Sequence, residues 1–134
     1  MRTLPIVIVL DKDNNILLLH RIDRNTREPV KWWIESWETP EQAIIRELYE
    51  ETGIKKPTSF LQKIEEYTIW SLHKIIYMMQ LEDIKPTISI NHIIEWWEDH
   101  DDYAWFSLPE LSNLNIDYKE EFLTYISKIS TLNP

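Results

Sequence analysis

Three carboxylates, Glu47, Glu50 and Glu51, stand at spacing i, i+3, i+4 within the run from Pro40 to Thr52. On a helix that spacing puts all three on one face. No lysine lies among them, so each pair repels by roughly a few tenths of a kcal/mol. Two readings follow. The face is a solvated acidic surface, or it is a site for a hard divalent cation. Magnesium takes carboxylate oxygens and keeps positions open for water and substrate phosphate.

The flanking residues say that this run is a helix. Thr39 is an N-cap residue, Pro40 suits the first helical position, and Gln42 completes a capping box. Gly53 is placed where a left-handed residue stops a helix. The spacing predicts a helix over Pro40 to Thr52. Ile44, Ile45 and Leu48 fall on a separate arc, which can pack on a sheet.

The longer stretch from Trp32 to Ile54, WWIESWETPEQAIIRELYEETGI, resembles the box of the Nudix hydrolases, G-x5-E-x7-R-E-U-x-E-E-x-G-U with U a bulky aliphatic. Glu38, Arg46, Glu47, Leu48, Glu50, Glu51, Gly53 and Ile54 all occupy the required positions. A spacing this long is far more specific than a short motif. The resemblance implies that Glu47, Glu50 and Glu51 bind Mg2+, with Mn2+ as a substitute, and that the backbone carbonyl of Trp32 is a further metal ligand. Glu47, Glu50 and Arg46 are the catalytic candidates it implies, with one carboxylate orienting or deprotonating the attacking water. It also implies a structural ion pair between Glu38 and Arg46, bracing loop against helix.

The loop before the helix departs from the family pattern. Members usually read GG-x-x-x-G-E, whereas this chain has Trp32, Trp33 and Trp37 at the glycine positions. The whole chain has 1 Gly and 7 Trp, against the roughly nine Gly that an average usage of about 7% predicts. Tight loops often need positive φ, which glycine tolerates and a bulky aromatic does not. Trp70 stands at an expected hairpin bend, and Trp96 and Trp97 form a pair in an acidic stretch. Only Trp105, in YAWFSLPEL, looks like a tryptophan the family would have. Some bacteria read the codon UGA as glycine and others as tryptophan. The expectation is that Trp32, Trp33, Trp37, Trp70, Trp96 and Trp97 are glycine in the native protein. The alternative is a genuine aromatic platform.

Composition narrows the function classes. At 134 residues and 43% hydrophobic content, one domain with its own core is expected over residues 1–134. No apolar run reaches the length of a membrane span, and no signal-peptide pattern opens the chain. The absence of cysteine removes disulfides and thiolate metal sites, and a reducing cytoplasm is the simplest home. A net charge of −9 speaks against broad nucleic-acid binding. It would also repel a phosphate substrate unless metal ions bridged the two. Nothing in the sequence sets an oligomeric state.

The remaining elements must position the carboxylates. Leu4 to Leu10 reads as a buried strand, Asp11 to Asn15 as a turn, and Ile16 to Leu19 as the returning strand. His20 and Arg21 follow at its end, with Arg21 the candidate for a phosphate contact. Asp23 to Pro29 reads as a flexible polar loop. Phe60 to Ile69 and Leu72 to Leu81 read as strands around a bend at Trp70 and Ser71. Tyr67, Tyr77, Met78 and Met79 read as core more readily than as a base or sugar pocket. Ile88 to Ile94 reads as a short strand. Glu95, Glu98, Asp99, His100, Asp101 and Asp102 form an acidic cluster. The family resemblance makes Glu98 and Asp99 candidates for substrate binding, for a further metal contact, or for the base. Tyr103 to Phe106 reads as a strand, Ser107 as the cap of a short helix, and Asp117 to Ile129 as a helix with apolar spacing.

The resemblance implies an α/β fold, an α/β/α sandwich with a mixed central sheet. It implies Mg-dependent hydrolysis of a diphosphate linkage in a small-molecule nucleotide, a nucleoside diphosphate joined to another group. Retention of every box carboxylate supports an enzyme. The tryptophans in the loop support the rival, a non-catalytic module that stacks a nucleotide on Trp32, Trp33 or Trp96.

Overall fold

The computed structural model describes residues 2–82 and 100–129. Seven strands form one sheet: β1 (Arg2–Leu10), β2 (Ile16–Arg21), β3 (Thr26–Glu28), β4 (Val30–Lys31), β5 (Leu61–Ile69), β6 (Leu72–Gln80) and β7 (His100–Phe106). Helix α1 (Pro40–Thr52) and helix α2 (Lys119–Ser127) complete the regular elements among the described residues, with short 3-10 turns at Thr58–Phe60 and Leu108–Asn113. The sheet runs β3-β2-β1-β6-β5, with β4 also pairing β1 and β7 also pairing β2. The long β1–β6 pairing is parallel, and the other pairings are antiparallel.

The central strands are apolar on both faces, as a sheet sandwiched between layers requires. From β1, Leu4, Ile6, Ile8 and Leu10 join Ile16, Leu18, Ile76 and Met78 under Phe122, Tyr125 and Ile126 of α2. The alternate positions, Val7, Val9, Leu17, Leu19, Ile75, Tyr77 and Met79, pack against Ile44 and Leu48 of α1. Burying one such aliphatic side chain contributes about 1.5–3 kcal/mol. An acidic residue at the fully buried Ile44 or Leu48 would therefore detach α1 from the sheet. The helix that carries the carboxylates is fixed by the neighbouring apolar face.

Both ends of α1 follow the local chemistry. The Gln42 backbone N–H donates to Thr39 Oγ1 at 3.2 Å, and the Thr39 N–H donates to Gln42 Oε1 at 2.9 Å. Gly53 ends the helix at φ +79°, its N–H donating to the Tyr49 carbonyl at 2.8 Å. A cap of this kind stabilises by about 1 kcal/mol.

Two segments differ from expectation. Asp23 to Pro29 is not all loop, because Thr26–Glu28 forms β3 against β2 with Thr26 and Glu28 buried. Strand β7 begins at His100 rather than at Tyr103, so part of the acidic cluster lies inside the sheet. Tyr77, Met78 and Met79 are core residues. The strand expected at Ile88 to Ile94 lies outside the described residues, as do Trp96, Trp97, Glu98 and Asp99. Among the described residues no helix is long and apolar enough to cross a membrane.

Candidate active site

Helix α1 presents Glu47, Glu50 and Glu51 on an arc beside the one that carries Ile44 and Leu48, with Glu47 and Glu51 nearest the sheet. Glu47 is buried at 6% exposure, Glu51 is partly covered and Glu50 is exposed. Burial, with the charges of Glu51 and Glu50 close by, pushes the Glu47 carboxyl up to about 8. The cluster therefore keeps a proton that an isolated glutamate would have lost near neutral pH.

Arg46 braces this face. Its Nε donates to Glu38 Oε2 at 2.7 Å and its Nη2 to Glu38 Oε1 at 3.1 Å. Its Nη1 lies 3.2 Å from Glu47 Oε2 and 3.2 Å from Glu50 Oε2. Hydrogen bonding to Arg46 holds the Glu38 carboxyl below its usual range. Glu38 Oε1 also accepts the Glu35 backbone N–H at 3.0 Å. One guanidinium thus connects the loop carrying Trp32, Trp33 and Trp37 to two of the three helix carboxylates.

The third carboxylate is held from β7. His100 Nδ1 lies 3.2 Å from Glu51 Oε2, and His100 Nε2 lies 2.8 Å from Glu28 Oε2. Burial works against a charged imidazole here. Hydrogen bonds to Glu28 and Glu51, with their charges, outweigh it and raise His100 to about 9. Burial would likewise raise Glu28, but His100, Lys31 and Arg21 bring it below its usual value.

Glu28 is also part of the wall of a cavity of about 330 Å³. Arg21, Arg24, Lys31 and Lys74 supply its cations, and Trp32, Trp33, Tyr118 and Tyr125 its aromatic surface. Arg21 is shared among Asp23 at 2.7 Å, Glu28 at 3.4 Å and Asp117 at 3.9 Å. At the inner wall, Glu121 accepts from Lys74 Nζ at 2.9 Å and from the Tyr67 hydroxyl at 2.9 Å. Arg2 lies over the Trp33 ring at 3.6 Å.

The donor chemistry suits a hard divalent cation. Three carboxylates crowd one helix face, and burial together with the charges of Glu51 and Glu50 disfavours ionisation of the most buried of them, Glu47. An ion would relieve that repulsion. Among the described residues, no three His, Asp or Glu side chains are already gathered to hold an ion. The carboxylates turn instead to Arg46 and His100. A rotamer change at the exposed Glu50 would release it from Arg46.

The family model described as NUDIX domain matches residues 2–125. The chain belongs to the Nudix family. Among solved structures, this Nudix chain is similar to a hydrolase of the NUDIX family from Clostridium perfringens, with TM-score 0.75 and 19% identity over 98% of each chain. It is also similar to an Ap4A hydrolase from C. elegans, with TM-score 0.68 and 17% identity over 95% of this chain and 96% of that one. It matches a MutT/nudix family protein from Enterococcus faecalis, with TM-score 0.65 and 16% identity, covering 78% of this chain but only 43% of that longer one. No curated protein sequence matches it.

Within this Nudix domain, Glu38, Arg46, Glu47 and Glu50 lie in one connected group, and His100 holds Glu51 together with Glu28. Arg21 and Trp32 line the cavity instead. Glu98 and Asp99 lie outside the described residues. Sequence reasoning did not single out Glu28 or the ring of His100. The signal available was a histidine inside an acidic run next to an expected strand.

Proposed function

We propose that this Nudix chain hydrolyses a diphosphate linkage in a nucleoside diphosphate joined to another group, in a Mg-dependent reaction. The observation that carries the reading is the braced carboxylate face of α1, connected through His100 and Glu28 to a cavity of nucleotide dimensions with cationic and aromatic walls. One structural neighbour is itself named an Ap4A hydrolase. Bound Mg2+ supplies charge neutralisation on the phosphoryl oxygens and a lowered pKa for attacking water. Glu47, Glu50 and Glu51, with the Trp32 carbonyl, would hold it. Arg46 keeps Glu47 and Glu50 in place and ties them to the loop through Glu38. One of the helix carboxylates, or one from outside the helix, orients the water or takes its proton. Arg21 sits at the cavity where a phosphate oxygen could meet its guanidinium. The aromatic wall would receive a base or sugar by stacking.

A second reading rests on one observation, that the indoles of Trp32 and Trp33 line the same cavity. A Nudix domain that only binds nucleotide would use those faces and need no turnover. The deciding experiment is a panel of nucleotides, including nucleoside triphosphates, nucleotide sugars and dinucleoside polyphosphates, assayed for phosphate or nucleotide release with and without Mg2+. Parent protein is compared with Glu50→Gln and Glu51→Gln. Mg-dependent release that these variants lose supports the enzyme. Nucleotide binding without release in all three overturns it in favour of the binding module.

A further inference from the structure

We infer that His100 is a positioning residue that clamps Glu51 and couples the carboxylate face to the cavity wall. The inference rests on the reading of Glu51 as a metal ligand. The geometry is specific. Both ring nitrogens are engaged, by carboxylates from two different elements, Glu51 on α1 and Glu28 on β3. The His100 and Glu28 side chains are 9% and 4% exposed, so water cannot substitute for either contact. The β2–β7 register shifts at His20 and Arg21, which pair with Asp102 and His100. That irregularity adds one residue to β7, and bulges of this kind re-aim side chains next to functional sites. Groups that orient a ligand in this way influence metal affinity nearly as strongly as the ligand itself.

The test uses the full chain and Mn2+ as the probe, with free Mn2+ read by electron paramagnetic resonance. Parent, His100→Gln, Glu28→Gln, the double variant and Glu51→Gln are compared, with folding checked by cooperative urea unfolding. Glutamine retains one donor but cannot span both carboxylates. The expected result is that folded His100→Gln binds Mn2+ about 10–100-fold more weakly. Glu28→Gln should weaken binding less, and the double variant should be no worse than His100→Gln alone, because both act through one link. A lowered urea midpoint with parent-like Mn2+ affinity would show a merely structural histidine and overturn the proposal. If His100→Gln does not fold, Glu28→Gln decides, and parent-like affinity there overturns it equally. Should Glu51→Gln bind Mn2+ as the parent does, the metal reading itself falls and the clamp with it. Weak binding in Glu51→Gln beside parent-like binding in His100→Gln sinks the clamp alone.

A second inference stands on the β5–β6 hairpin. Ile69 pairs with Leu72, leaving Trp70 and Ser71 as a two-residue loop. Trp70 has φ +56°, whereas Ser71 is not in the positive-φ region. Positive φ at the first loop position only is the pattern of a type II′ turn, whose first position is glycine. The Trp70 side chain is 92% exposed, and Trp37 in the Glu35–Glu38 turn is 76% exposed. Trp105, in contrast, packs against the core beside Tyr103. We infer that a UGA codon at position 70 is read as glycine, so that the native protein carries glycine in this turn and keeps Trp105. The test is the mass of the tryptic peptide 64–74 from protein made in its native cell. A peptide lighter by one Trp-to-Gly exchange is expected. A mass matching tryptophan at position 70 overturns the inference.

Discussion

The Glu38 carboxylate receives Arg46 along two parallel bonds, Nε at 2.7 Å and Nη2 at 3.1 Å. Eight residues separate the two in sequence, and the pair closes the loop onto the first turns of α1. A bidentate guanidinium–carboxylate pair fixes orientation as well as distance, which a lysine cannot reproduce. Arg46→Lys should therefore lower stability by about 1.5–3 kcal/mol, the range for hydrogen bonds to charged groups. Urea unfolding measures this. Turnover should fall further than stability explains, because the same guanidinium positions Glu47 and Glu50. An Arg46→Lys variant with parent stability and parent turnover would show the pair to be incidental.

Glu50 separates chemistry from folding most cleanly. Its side chain is 48% exposed, and it forms an i, i+4 ion pair with Arg46 at 3.2 Å. Such pairs contribute only about 0.3–0.5 kcal/mol. Glu50→Gln should leave the urea midpoint almost unchanged. If Glu50 holds the metal or the attacking water, turnover at saturating Mg2+ should fall by at least about 100-fold, the lower end of a general acid–base contribution. A loss of less than about threefold would remove Glu50 from the chemistry.

How much of this was written locally decides what the sequence could disclose. Helix α1 was legible to its end residues, because Thr39, Gln42 and Gly53 each carry a local instruction. Its carboxylate face was legible for the same reason, since one helical spacing sets three side chains together. Strand β3 was not legible. Its Thr-Arg-Glu sequence is polar, and only pairing with β2 makes it a strand. Glu28 and His100 meet across 72 positions because β3 and β7 both pair with β2. No periodicity encodes a contact made through a third strand.

Acid should loosen the link between α2 and the sheet. Burial alone would raise Glu121, but Lys74 Nζ and the Tyr67 hydroxyl, both at 2.9 Å, bring its carboxyl below the ordinary 4.5. A depressed folded value means that the stabilisation is fully present above the ordinary value and is lost as pH falls through the folded one. The parent urea midpoint should therefore decline from about pH 5 downward. Glu121→Gln should be less stable at neutral pH and show a shallower decline. Parallel curves for the two proteins would mean that Glu121 contributes nothing to the acid limb.

The hairpin gives a prediction that needs neither metal nor substrate. Trp70 holds φ +56°, a conformation that costs an L-residue about 1–2 kcal/mol. Glycine adopts it without that strain but loses more chain entropy on folding, roughly 0.5–1 kcal/mol. Trp70→Gly should therefore stabilise by about 0.5–1 kcal/mol, a rise in Tm of roughly 2–4 °C for a domain of this size. Trp70→Ala is the control, because it removes the exposed indole and keeps the strained Cβ. A gain with glycine and none with alanine locates the effect in the backbone. Equal gains would locate it in the indole, and the left-handed turn would then carry no argument about which residue belongs there.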